Sequence, residues 1–197
     1  MSSADELITF QEDQLRHDEL VHKDILCLPI QTRIKHMVLH FSKYTGHLIE
    51  ARETLNKDLL VATVVDSWII VLASSNMLNL HLSEKLLPEK AKYKDLQSLG
   101  LAFASSNSIL CNNSYDLALF ELGKITGRMA KACESLDHME RFDSRGTLER
   151  CVIDIAQLLL AISAQLEIDL PSLLFRRWEE VERKSIFYQP NQQVYSR

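Results

Sequence analysis

Eight residues in four pairs, each pair spaced three apart, carry the chemistry this chain offers: His40 and Lys43, Thr63 and Asp66, Glu121 and Lys124, Cys151 and Asp154. Positions i and i+3 share one face of a helix, so the members of each pair project together. Carboxylates so arranged suit a hard cation such as Mg²⁺, and a lysine suits a phosphate. The two aspartates stand out through their surroundings. Residues 59–80 read LLVATVVDSWIIVLASSNMLNL, with Asp66 the one charge; residues 151–166 read CVIDIAQLLLAISAQL, with Asp154 the one charge. A carboxylate in an apolar helix is costly unless it is paired, hydrogen-bonded or metal-bound. Both therefore mark candidate sites.

The helices that must position them occur twice. At an offset of 88 residues, Val64/Val152, Asp66/Asp154, Leu72/Leu160, Ala73/Ala161, Ser75/Ser163, Leu78/Leu166, Leu82/Leu170 and Leu86/Leu174 are identical. The preceding segments, HFSKYTGHLIEA (40–51) and ELGKITGRMAKA (121–132), share Lys43/Lys124, Thr45/Thr126, Gly46/Gly127 and Ala51/Ala132 at an offset of 81. Apolar residues at helical spacing predict helices over 30–54, 59–82, 115–141 and 147–167. Pro29, Ser114 and Thr147 are the expected starts, and Pro88 ends the first unit. Residues 1–29 read as an N-terminal helix or arm, 30–88 as a first hairpin, and 89–113 as a linker containing a short helix. Residues 114–188 read as a second hairpin with a C-terminal helix opened by Pro171, and 189–197 as a tail. The fold class is all-α: two repeated helical hairpins pack as a four-helix bundle with flanking helices, one globular domain in all. Glycine inside a helix costs about 1 kcal/mol against alanine, so Gly46 and Gly127 are expected at close helix crossings.

Composition narrows the function classes. The apolar content is 46%, the charged content 25% and the net charge −5, as in soluble globular proteins. That acidic balance speaks against nucleic acid or an anionic membrane as partner. Residues 59–80 are long enough to span a bilayer, but Asp66, Asn76 and Asn79 favour a core helix. Four scattered cysteines (Cys27, Cys111, Cys133, Cys151) lack zinc-ligand spacing and fit reduced, mostly buried thiols in a cytoplasmic protein.

The doubled pattern resembles the MazG-like all-α NTP pyrophosphohydrolases, whose hairpin carries E-x-x-E on one helix and E-x-x-D on the next. ELGK (121–124) looks like the first motif, and CVIDIAQLLLAISAQLEIDL (151–170) like the second with its following I-D-L. RWEEVERK (177–184) and LITFQEDQ (7–14) resemble the flanking segments. The resemblance implies a nucleotide partner, Mg²⁺ as cofactor, and cleavage of an NTP or dNTP to the monophosphate and pyrophosphate. On this chain it places the metal positions at Glu121, Asp154 and Asp66. Lysine, histidine, threonine and cysteine stand at the other five, and an ammonium repels a cation. The expectation is therefore a diverged relative, catalytically inactive or nucleotide-binding only; a non-enzymatic helical scaffold is the alternative. A chain supplying two hairpins is a monomeric pseudo-dimer, or a homodimer of such units.

Three roles stay open for the lysines and aspartates. They form buried ion pairs, Lys43 with Asp66 and Lys124 with Asp154. Alternatively Lys43, Lys124 and His40 bind phosphate in place of a metal. In the third, Glu50, Glu53, Glu134 and Glu149 complete a metal site. His36 and His40, four apart, are the one histidine pair at metal-ligand spacing. Trp68 and Trp178 are expected in the core.

Overall fold

The structure, a computed structural model, describes residues 2–87, 93–106 and 115–187, with the side chains of Tyr115 and Leu117 excepted. Among these residues it is all-α, with nine helices and no strand. They are α1 (Ser3–Val21), α2 (Lys23–Leu26), α3 (Ile30–Glu53), α4 (Lys57–Leu78) and α5 (Leu82–Leu86), then α6 (Leu96–Ser106), α7 (Tyr115–Asp137), α8 (Ser144–Gln165) and α9 (Leu170–Glu182).

Local chemistry sets the boundaries. Ser2 and Asp5 close a capping box at the start of α1, satisfying backbone donors that the first turn leaves free. Pro29 stands just before α3, as expected, and Asn56 accepts from the Leu59 amide at the start of α4. The run expected to continue to residue 82 stops at Leu78, because Asn79 adopts a left-handed conformation with φ 58°. Asparagine tolerates that conformation better than most side chains. α8 begins at Ser144 rather than at Thr147, capped by the Asp143 carboxylate on the Gly146 amide. Asp169 caps α9, whose first turn contains Pro171. Ser114, Pro88, Cys111 and the tail 189–197 lie outside the described residues.

α3 packs on α4 and α7 on α8; α3 also meets α7, and α4 meets α8. α4 is buried nearly all round, with Val64, Val65, Trp68, Val71 and Leu72 each at most 4% exposed. By length and composition α4 could cross a membrane, yet most of its apolar window is enclosed by neighbouring helices, as in a core helix.

The N-terminal segment is no loose arm. α1 buries Leu7 and Phe10 and packs on α4, α5, α6 and α9. The stretch read as linker supplies α6, which lies along α8 so closely that a Cβ on Gly100 would meet the Leu160 carbonyl and stand 2.7 Å from Ala164 Cβ. This is the close crossing that Gly46 and Gly127 were expected to mark. Both of those face open space, with nothing within 4 Å of a built Cβ.

Each short helix that follows a hairpin crosses to the other hairpin: α5 packs on α8, and α9 packs on α4. α5 ends after five residues, whereas α9 runs for thirteen. That difference decides what reaches each aspartate.

Candidate functional site

Asp66 is met by α9. Arg177 donates from Nε to Oδ1 at 2.7 Å and from Nη2 to Oδ2 at 3.1 Å, and from Nη1 to Glu180 at 3.2 Å. The two-pronged contact fits the planar guanidinium to the carboxylate, and the Asp66 side chain is 19% exposed. Lys43 does not pair with Asp66. On α3, Tyr44 takes the inward position, so Lys43, one residue earlier, turns to solvent. Its Nζ stands 3.3 Å from His40 Nδ1 and 4.2 Å from the centre of the Tyr44 ring. Burial, and then the Asp66 charge, raise the Tyr44 phenol above its ordinary range.

A short histidine chain continues from Lys43. An ammonium only donates, so His40 Nδ1 accepts and its proton sits on Nε2. That nitrogen is 3.1 Å from His36 Nε2, which must accept and carry its own proton on Nδ1. Burial, then the charge on Lys43, push His40 down to about 4, so it is neutral at physiological pH. The one pair at metal-ligand spacing is therefore hydrogen-bonded to itself.

His36, His40, Tyr44, Asp66 and Arg177, but not Lys43, line a cavity of about 190 Å³ between α1, α2, α3, α4 and α9. Ile25, Leu26, Met37, Ile69, Ile70, Ala73 and Val181 supply its apolar wall; Asp18, Arg33, His36, His40, Asp66 and Arg177 are on the polar side. Asp18 is positioned from behind. The fully buried Trp178 donates from Nε1 to Gln14 Oε1 at 2.7 Å, and Gln14 Nε2 donates to Asp18 Oδ1 at 2.8 Å. Burial pushes Asp18 up to about 7, which lets it exchange a proton near neutrality. Burial also lowers His22. The Arg33 Nε is buried and has no hydrogen-bond acceptor.

The second copy is built differently. Asp154 accepts from Arg128 Nη2 at 3.1 Å across α7 and α8, and both side chains are about half exposed, 47% and 48%. Lys124 bonds Glu121 on its own helix, not Asp154. Back in the first copy, Thr63 on α4 is spent on the Leu59 carbonyl at 2.7 Å. Cys151 is buried, and that burial raises its thiol.

The expected residues are thus only partly brought together. His40 and Asp66 share the cavity, with Lys43 beside His40; Glu121, Lys124 and Asp154 lie apart on α7 and α8. The expected Lys–Asp pairs are replaced by Arg177–Asp66 and Arg128–Asp154. Glu134 binds Lys131, and Glu149 binds Arg145; Glu50 and Glu53 are exposed. Among the described residues, no group of three or more His, Cys, Asp or Glu is placed to hold a metal ion. With an arginine on each aspartate and a lysine on Glu121, the donor set does not fit Mg²⁺, which needs free hard oxygens.

The sequence did not single out Asp18, Arg33 or Arg177, and His22 shows no metal-pair spacing there. A signal existed for most of them. Gln14, Asp18 and His22 repeat every four residues, and Arg33, His36, Met37, His40 and Tyr44 follow i, i+3, i+4, i+7 and i+11, so each set marks a helix face. Nothing in the spacing tied Arg177 to Asp66, 111 residues earlier. Comparison of the chain with protein-family models, curated proteins and solved structures found no match.

Proposed function

We propose that this chain is a diverged MazG-like nucleotide pyrophosphohydrolase relative that binds a nucleotide without metal-dependent hydrolysis. In this reading α3–α4 and α7–α8 are the two hairpins of one four-helix bundle, so a single chain acts as a pseudo-dimer and needs no second copy. The doubled sequence and the contacts closing the ring α3–α4–α8–α7 support that view. The observation that carries the binding reading is the cavity beside Asp66. There, Asp18, Arg33 and three histidines remain around a space the protein's own side chains do not fill. A purely structural ion pair between α4 and α9 needs no such surroundings.

Loss of hydrolysis follows from the pairing of the three acids. Metal catalysis requires a cation that polarises the phosphoryl oxygen or activates water. Asp66, Asp154 and Glu121 are neutralised by Arg177, Arg128 and Lys124. Lys43 stands 3.3 Å from His40, which lines the cavity, and can meet a phosphate there; Lys124 lies on α7, which does not line it. The free thiols of Cys133 and Cys151 suit a reducing, cytoplasmic setting.

An NTP and dNTP panel tests this with and without Mg²⁺ or Mn²⁺. The expected result is a thermal shift with at least one triphosphate in EDTA and no pyrophosphate release above background. Metal-dependent release abolished by Asp66→Ala or Asp154→Ala would overturn the loss of hydrolysis. No shift with any nucleotide would leave the second reading, a helical scaffold, which is favoured by both aspartates being held in interhelix ion pairs.

A further inference from the structure

The size and charge of the cavity restrict which part of a nucleotide can enter it. An engineered cavity of about 150 Å³ accepts benzene, and sites for whole drug-sized ligands run to roughly 300–1,000 Å³. At about 190 Å³, this one takes a single or small fused ring rather than a complete nucleotide. Its lining charges nearly cancel. Arg177 is committed to both oxygens of Asp66, and Arg33 is opposed by Asp18, whose charge it senses. A triphosphate would bring several negative charges into a space with no surplus cation, against a mostly apolar wall.

The polar side is nevertheless specific. Asp18 is held by the chain Trp178–Gln14–Asp18, whose first two members are 0% and 1% exposed; such backing fixes a carboxyl group before any ligand arrives. Arg33 carries a buried donor left without an acceptor, which is costly unless something satisfies it. A carboxyl group and a guanidinium whose Nε lacks an acceptor, in a cavity that Ile69, Ile70 and Ala73 also line, match a flat ring with donor and acceptor groups along one edge.

We propose that the cavity between α1, α2, α3, α4 and α9 binds an uncharged, nucleobase-sized heteroaromatic ring, its polar edge read by Asp18 and Arg33, with any phosphates left outside. This rests on the nucleotide-binding reading and assigns the base, not the phosphates, to the cavity. Asp18 and Arg33 are the specificity-determining residues, and Gln14 is a positioning residue that acts through Asp18.

Calorimetric titration with the common ribonucleosides, their triphosphates and inorganic tripolyphosphate tests the assignment. At least one nucleoside is expected to bind within about tenfold of its triphosphate, and tripolyphosphate not at all. Asp18→Asn should weaken that nucleoside at least tenfold. Ala73→Leu, which fills the cavity, should abolish binding while thermal melting shows a folded protein. Gln14→Leu should weaken the nucleoside less than Asp18→Asn, and should shift the pH dependence of binding. Triphosphate binding with tripolyphosphate competing and no nucleoside binding would overturn this proposal and leave the nucleotide reading standing. Failure of every triphosphate to bind would overturn both. Nucleoside binding unchanged in both Asp18→Asn and Ala73→Leu would place the ring elsewhere.

Discussion

The two aspartates occupy equivalent places in the repeat and have acquired opposite environments. Asp66 is 19% exposed, gripped at both oxygens by Arg177, and borders a cavity covered by α1, α2 and α9. Asp154 is 47% exposed and holds one arginine nitrogen on its own hairpin. Much of the difference comes from the flanking helices. The helix after the second hairpin is thirteen residues long and carries Arg177 across to the first; its counterpart α5 stops after five. The residue 88 positions before Arg177 is Glu89, an acid. Ahead of the hairpins, α1 brings Gln14 and Asp18 over α4, whereas α6 brings an apolar strip onto α8. Two similar sequence segments are thus covered differently, with charged and histidine side chains around a cavity beside Asp66 and a closely seated α6 on α8.

The sharpest way to break this contrast is Gly100→Ala. If α6 is the tight cover of the second copy, the added methyl meets the Leu160 carbonyl and should cost about 3 kcal/mol, read as a lower urea midpoint. A neutral result would mean that α6 is not seated on α8. Next comes the pair Asp66→Ala and Asp154→Ala, measured in parallel. The first strands a partly buried Arg177 and should cost about 2 kcal/mol; the second removes an exposed pair and should cost less than about 1 kcal/mol. Equal losses would erase the distinction between the two sites.

The pH dependence should belong to the covered side. Asp18 sits at about 7 in the folded chain against an ordinary 3.8. Between those values the folded state keeps a proton that the unfolded state has released, so stability from this group falls as pH rises through that window. His17 and His40, pushed by burial to about 3 and about 4, act in the opposite sense: their contribution is present above 6.5 and is lost as pH falls. Asp18→Asn should therefore be more stable than wild type at pH 8, on the order of 1–2 kcal/mol, and no more stable at pH 4. Denaturation curves at the two pH values decide it. The smallest effect is one in which the copies should agree. Gly46→Ala and Gly127→Ala each face open space and should each raise stability by about 0.5–1 kcal/mol. A loss at either position would reveal a neighbour that this arrangement does not contain.

Much of the frame was legible in the sequence because it is local. The 3.6-residue spacing of Val38, Phe41, Tyr44 and Leu48, and the unbroken apolar run of α4, specify helices and buried faces without reference to the rest of the chain. Pro29 marks a helix start by its own stereochemistry. Where a boundary depended on competition between neighbours it was misplaced, as at Asn79 and Asp143. The meaning of a helical glycine could not be read at all: Gly46, Gly127 and Gly100 look alike in the chain, and only the position of the next helix separates them.

The sequence by itself determined that the protein is helical and that one aspartate lies in each of two similar apolar segments. Those properties follow from side-chain type and spacing within a few turns. The tertiary structure alone decided what each aspartate does, because a carboxylate's role is set by the charge that reaches it. For Asp66 that charge comes from Arg177, more than a hundred residues away and on the helix that crosses from the other hairpin.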